Sequence, residues 1–192
     1  MRTLLSVMKK RKNEWISQEK LDIFENIINT YFVPGCGSKE GDEKFWDAIF
    51  EHFNQEQRFR LWEQEYGGCR GTGANKERKE FALTHKDLPL SMRLELAIET
   101  FGNDFRGKVL DIVLDEESKA ITYTFACDEC YRHAPKEKYA KSPLRYYEAC
   151  SGGRKYVLEK VLGINLRIKS VDVPSVGVNK ENPCVFTYEI LD

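Results

Sequence analysis

Residues 109–130 read VLDIVLDEESKAITYTFACDEC, and this stretch decides the fold class. Leu110, Ile112 and Leu114 alternate with other residues, as do Ile121, Tyr123 and Phe125, which is the period of a half-buried strand. Asp115-Glu116-Glu117-Ser118 lies between the two runs, so the pattern predicts a β-hairpin. Toward the C-terminus, Ser142-Pro143 supplies a cap and a first-turn proline. The helix they open carries a stripe of Tyr146, Cys150, Gly153, Val157 and Val161, and Gly163 ends it. Ile164, Leu166 and Ile168 predict a third strand, and Cys184, Phe186, Tyr188 and Ile190 a fourth.

Toward the N-terminus the period becomes helical. Leu21, Phe24, Ile28 and Tyr31 form one stripe, ending at Pro34-Gly35, and Phe45, Trp46, Ile49, Phe50 and Phe53 form a second. Asn54 followed by Gln57 has the form of a capping box, opening a helix with Phe59, Trp62 and Tyr66 that Gly67-Gly68 stops. The glycine-rich polar stretch 67–79 reads as a surface loop, and a further helix runs from Leu88-Pro89 through Leu94, Ile98 and Phe101. Helices first and a ββαββ unit second predict an α+β fold, a mostly antiparallel sheet with helices packed on it. The 192 residues fit a single domain, mainly helical over 1–103, with the ββαββ portion over 104–192. A chain of this length buries roughly 70% of its unfolded surface, so its hydrophobic content of 41% makes a core without covalent staples.

Charged residues at 32% with a net charge of -1 describe a surface of mixed sign, and no basic excess points to nucleic acid. The short apolar run at residues 4–8 precedes the basic run at 9–12, which reverses the order of a secretory signal. No stretch approaches the roughly 18 apolar residues of a membrane span. These features predict a cytoplasmic protein with reduced thiols and no membrane partner. Oligomeric state is left open, and a homodimer is compatible with the sequence.

Six cysteines stand at positions 36, 69, 127, 130, 150 and 184. Cys127 and Cys130 form a C-x-x-C pair at the end of the second strand, a spacing that lets two sulfurs bite one tetrahedral metal. Zinc would need two more ligands, and Cys150 with His133 can supply them, while Cys69 can fold back as a further one. A redox pair is a second reading, although the surrounding order is not the βαβ pattern such pairs favour. A third makes Cys150 a nucleophile with His133 as base. Seven Lys or Arg, Arg145 and Arg154 among them, face two acids over residues 131–155, a positive field that favours thiolate and attracts an anion. Arg145, Arg154 and Tyr146 are therefore candidate ligand-binding residues.

The structural readings stand beside these. Cys184 shares a strand face with Phe186, Tyr188 and Ile190 and reads as core. Cys150 lies on an apolar stripe, where Ser151-Gly152-Gly153 could serve only close packing against the sheet. Cys36 and Cys69 sit in glycine-rich turns, and residues 68–76 do not match the spacing of a phosphate-binding loop, because Ala74 follows Gly73 where Lys and then Ser or Thr would stand. His52 and His85 are isolated, and His52, between Phe50 and Phe53, reads as structural.

The run Cys127-x-x-Cys130, then Cys150-Ser-Gly-Gly, LEKVLGINLRI at 158–168 and Asn182-Pro-Cys184-Val-Phe186 resembles the 4-vinyl reductase-type domain. It is similar too to L-2-amino-thiazoline-4-carboxylate hydrolase-like proteins and allied uncharacterised bacterial families, with Gly67-Gly68-Cys69 as a matching upstream element. The likeness covers about half of the chain. It implies an α+β sheet domain binding a small molecule, with Cys127, Cys130 and Cys150 as the site, Cys69 as an addition, and cysteine-held zinc as a cofactor. The chain departs from that group where Asn179-Lys180-Glu181-Asn182-Pro183 replaces an acidic Gly-Asp turn.

From these readings the expected function is a small-molecule- or metal-binding domain with a cysteine-lined site. The alternatives are a thiol-dependent hydrolase acting on a small anion, and an interaction protein presenting Trp46, Phe50, Trp62 and Tyr66.

Overall fold

A computed structural model describes residues 2–12, 14–32, 39–64, 73–102, 108–126, 143–174 and 178–191. Among the described residues six helices come first: α1 (Arg2–Lys10), α2 (Gln18–Tyr31), α3 (Lys39–His52), α4 (Gln55–Gln64), α5 (Asn75–Thr84) and α6 (Leu90–Phe101). Then follow β1 (Lys108–Asp115), β2 (Ala120–Ala126), α7 (Pro143–Leu162), β3 (Asn165–Asp172) and β4 (Cys184–Leu191). The architecture is α+β, helices before strands.

Local signals set the boundaries. Ser17 Oγ accepts the Lys20 N–H at 3.3 Å and caps α2. At α4 the capping box closes in both directions: the Gln57 N–H donates to Asn54 Oδ1 at 2.9 Å, and the Asn54 N–H donates to Gln57 Oε1 at 3.2 Å. Gly163, with φ of 66°, ends α7 in the left-handed conformation, its N–H donating to the Glu159 carbonyl. In the β1–β2 turn, Asp115 Oδ1 accepts the Ser118 N–H at 3.0 Å and Lys119 takes φ of 48°. Two elements depart from expectation. Residues 2–10 form α1, and 75–84, within or next to the stretch read as a loop, form α5. Both stripes were short: α5 buries only Phe81 and Arg78.

The four strands are ordered β1-β2-β4-β3, every neighbouring pair antiparallel. Because β4 pairs with both β2 and β3, those two run the same way, and β2-α7-β3 is a crossover split by the last strand. The register aligns the apolar sets: Ile121 faces Tyr188 and then Ile168, while Tyr123 faces Phe186 and then Val171. All six are buried. α7 lies on this face and packs on its other sides against α4, α5 and α6. The result is three layers, with α7 in the middle.

Among the described residues β3 is an outer strand, and two of its outward N–H groups are covered by side chains. The Leu166 N–H donates to Glu159 Oε1 at 2.9 Å, and the Ile168 N–H to Glu63 Oε1 at 2.6 Å. Burial holds the Glu63 carboxyl above its ordinary value of 4.5, opposed by the Ile168 N–H and by Lys155. A carboxyl raised on folding lends stability that is complete below its unfolded value and lost as pH rises through the folded one. Glu63→Gln keeps the acceptor and removes this titration. Urea unfolding of the variant is expected to show stability gaining on the parent between acid and neutral pH. Parallel pH profiles would contradict that cause.

Candidate functional site

The candidate site lies between the sheet and α7. Cys150 and Arg154 are four residues apart, hence on one face of the helix, and that face meets the strands. They are 2% and 1% exposed. The Arg154 guanidinium stands over the Phe125 ring, 4.8 Å from its centroid. Phe125 lies 5.9 Å from Phe186 and 6.0 Å from Tyr123, and Tyr123 stacks on Phe186 at 6.3 Å. The Tyr188 hydroxyl donates to the Ser151 carbonyl of α7 at 2.9 Å. Burial pushes the Tyr188 phenol well above its usual range; Tyr123 and Cys150 add to the rise, and Arg154 opposes it. Tyr188 therefore stays neutral and donating.

One guanidinium, one thiol and two phenols are thus gathered against phenyl rings, in the low-dielectric interior. Charge-assisted hydrogen bonds are strongest in such surroundings. Cys184 is fully buried on the same sheet, paired in register with Phe125. Its expected core role holds. Tyr123 and Tyr188 read in the sequence only as strand residues. Their signal was a hydroxyl on a core-facing position, which needs a polar partner.

Arg145 is not part of this cluster. It is nine residues from Arg154, and at about 100° per residue that is the opposite face of α7. Arg145 pairs with Asp47 of α3 and stands 5.1 Å over Phe50. Arg58 of α4 lies over the same ring at 4.3 Å. Arg58 also grips Glu148 of α7 with two parallel bonds, Nε to Oε2 at 2.8 Å and Nη2 to Oε1 at 2.9 Å. The Trp62 indole N–H adds a longer contact to Glu148 at 3.4 Å, and Arg58 Nη1 reaches the Phe53 carbonyl at 2.9 Å. This side of α7 is an internal ion pair that docks helix to helix.

Gly152 of α7 belongs to that docking. A Cβ on Gly152 would stand 2.3 Å from the Trp62 carbonyl oxygen, so Gly152 seats α7 against the α4 backbone, not against the sheet as its sequence neighbourhood suggested. The aromatic residues expected to form an exposed patch are largely interior. Trp62 is 2% exposed and lies 5.2 Å from Trp46, while Trp46 and Phe50 are half-buried against the core.

Cys69, Cys127, Cys130 and His133 lie outside the described residues, as do Cys36, Tyr66 and the Tyr146 side chain. Of the four proposed metal ligands only Cys150 is described, and it sits on the sheet side of α7. Among the described residues no group of three or more His, Cys, Asp or Glu could hold a metal. His85 is tied to its own helix, Nδ1 2.8 Å from the Phe81 carbonyl, and the carbonyl of half-buried His52 accepts a bond from Lys20 Nζ. No helix among the described residues is long and apolar enough to cross a membrane. Compared with known proteins, the chain matches no family model and no curated protein.

Proposed function

We propose that the chain is a small-molecule-binding domain whose ligand is an anion held between the sheet and α7, with Arg154 as the cation and Cys150 beside it. The observation that carries this reading is the placing of Arg154 and Cys150, one turn apart and almost wholly buried, on the same phenol-lined face. The resemblance of the C-terminal half to the 4-vinyl reductase-type group supports it, since that likeness implies a bound small molecule at Cys150. In the metal-binding form of the reading, zinc is held by Cys127, Cys130 and Cys150, with Cys69 as a further ligand. A cytoplasmic compartment, where thiols stay reduced, belongs to the same reading. Burial of Cys150 to 2% favours binding over thiol attack on a substrate arriving from solvent.

Thermal unfolding with benzoate and with inorganic phosphate tests the anion. At about a hundred times its dissociation constant, a ligand adds about 2.7 kcal/mol of stability. At least one of the two anions is expected to raise the melting temperature of the parent and to leave Arg154→Met unmoved. No shift in the parent with either probe, or an equal shift in the variant, removes Arg154 from the site. Elemental analysis of protein purified without chelator tests the metal separately. Zinc well below one equivalent, with unchanged yield for Cys127→Ser, ends that form of the proposal.

A further inference from the structure

An outer strand exposes a row of backbone donors and acceptors that invites another strand. On β3 two of the outward N–H groups are occupied by carboxylates from separate helices, Glu159 of α7 on Leu166 and Glu63 of α4 on Ile168. Lys155 Nζ holds Glu159 Oε1 in turn at 2.7 Å. The covers on these two N–H groups are side chains, so they can be released without unpairing the sheet.

The strand beneath the carboxylates is complementary to itself. Ile168 and Val171 share the core face, opposite Tyr188 and Phe186, while Arg167 and Asp172 share the other face, opposite Glu189 and Val185. The irregularity between Ile168 and Ser170 brings these pairs into phase. An antiparallel, two-fold pairing of β3 with another β3 therefore sets Ile168 against Val171 and Arg167 against Asp172. Apolar meets apolar and cation meets anion, as an isologous contact requires. Alongside runs an open cleft of about 360 Å³, between Gln55, Glu56 and Phe59 of α4 and Arg167, Ile168 and Lys169 of β3.

We propose that Glu63 and Glu159 form a clasp that shuts the β3 edge, and that releasing it lets β3 pair with β3 of a second copy, extending one sheet through both. Sedimentation velocity across a wide concentration range tests it with Glu63→Ala and Glu63→Gln. The alanine variant frees the Ile168 N–H and is expected to move from the parent's mass to twice that mass as concentration rises. The glutamine variant retains an acceptor and is expected to stay with the parent. A folded Glu63→Ala protein that keeps the parent's mass at every concentration overturns the proposal. Should that variant fail to fold, amide exchange in the parent decides. Leu166 and Ile168 N–H exchanging as slowly as the inward amides of β3 supports the clasp, and exchange at the rate of open amides overturns it.

Discussion

Gly152→Ala is expected to destabilise the protein by about 3 kcal/mol or more, near the top of the range for overpacking, because the obstacle is backbone. The new methyl would lie 2.3 Å from the Trp62 carbonyl oxygen and 2.8 Å from its carbonyl carbon. Neither atom can rotate aside as a side chain would. α7 must shift away from α4, and that shift stretches the Arg58–Glu148 contact and loosens the packing of Trp62. In a domain of this size the loss corresponds to a fall in melting temperature of about 10 °C. Gly73→Ala is the control, since a Cβ there meets nothing within 4 Å. Calorimetry on both variants checks the claim, and equal melting temperatures for Gly152→Ala and the parent would refute the close approach.

The second large effect concerns the ion pair beside it. Glu148 is 0% exposed and Arg58 nearly buried, so Arg58→Met strands a carboxylate in the interior. Removing one member of a buried pair costs about 3–5 kcal/mol, whereas replacing both by apolar residues of similar volume is often close to neutral. Urea unfolding is therefore expected to show a heavy loss for Arg58→Met and a recovery of most of it in Arg58→Met with Glu148→Leu. If the double variant loses the sum of the two single losses, the side chains act independently and the pair is not what joins α7 to α4.

Strand alternation and caps were legible in the sequence because both are short-range rules. The Asn54–Gln57 box, Pro143 at the head of α7, Gly163 at its end and the apolar face of β4 all appear where local chemistry put them. The role of α7 was not legible. Its sequence carries Arg, Lys and Glu at a density that suits a solvated helix, yet Glu148, Arg154 and Lys155 are buried. What reconciles them lies far away in the chain: Arg58 is 90 residues from Glu148, and Phe125 on β2 belongs to another layer. Composition over residues 131–155 also placed Arg145 and Arg154 in one positive field, but helical geometry separates them. Cys150 and Arg154 were legible as candidates. The phenols that complete their surroundings were hidden by serving at the same time as ordinary strand residues.

The place of β4 has a consequence for how the molecule is made. This strand follows both β2 and β3 in chain order, yet it lies between them. The sheet cannot be completed until β4, which follows both of its neighbours in the chain, has left the ribosome. Until then β2 and β3 lack the neighbour they share, and the apolar side of α7 has no completed surface to cover. Assembly dominated by such distant pairings is intrinsically slow. The newly synthesised chain therefore passes through a stage in which Ile121, Tyr123, Phe125 and Ile168 await their partner, and that interval is when a chaperone has most to do.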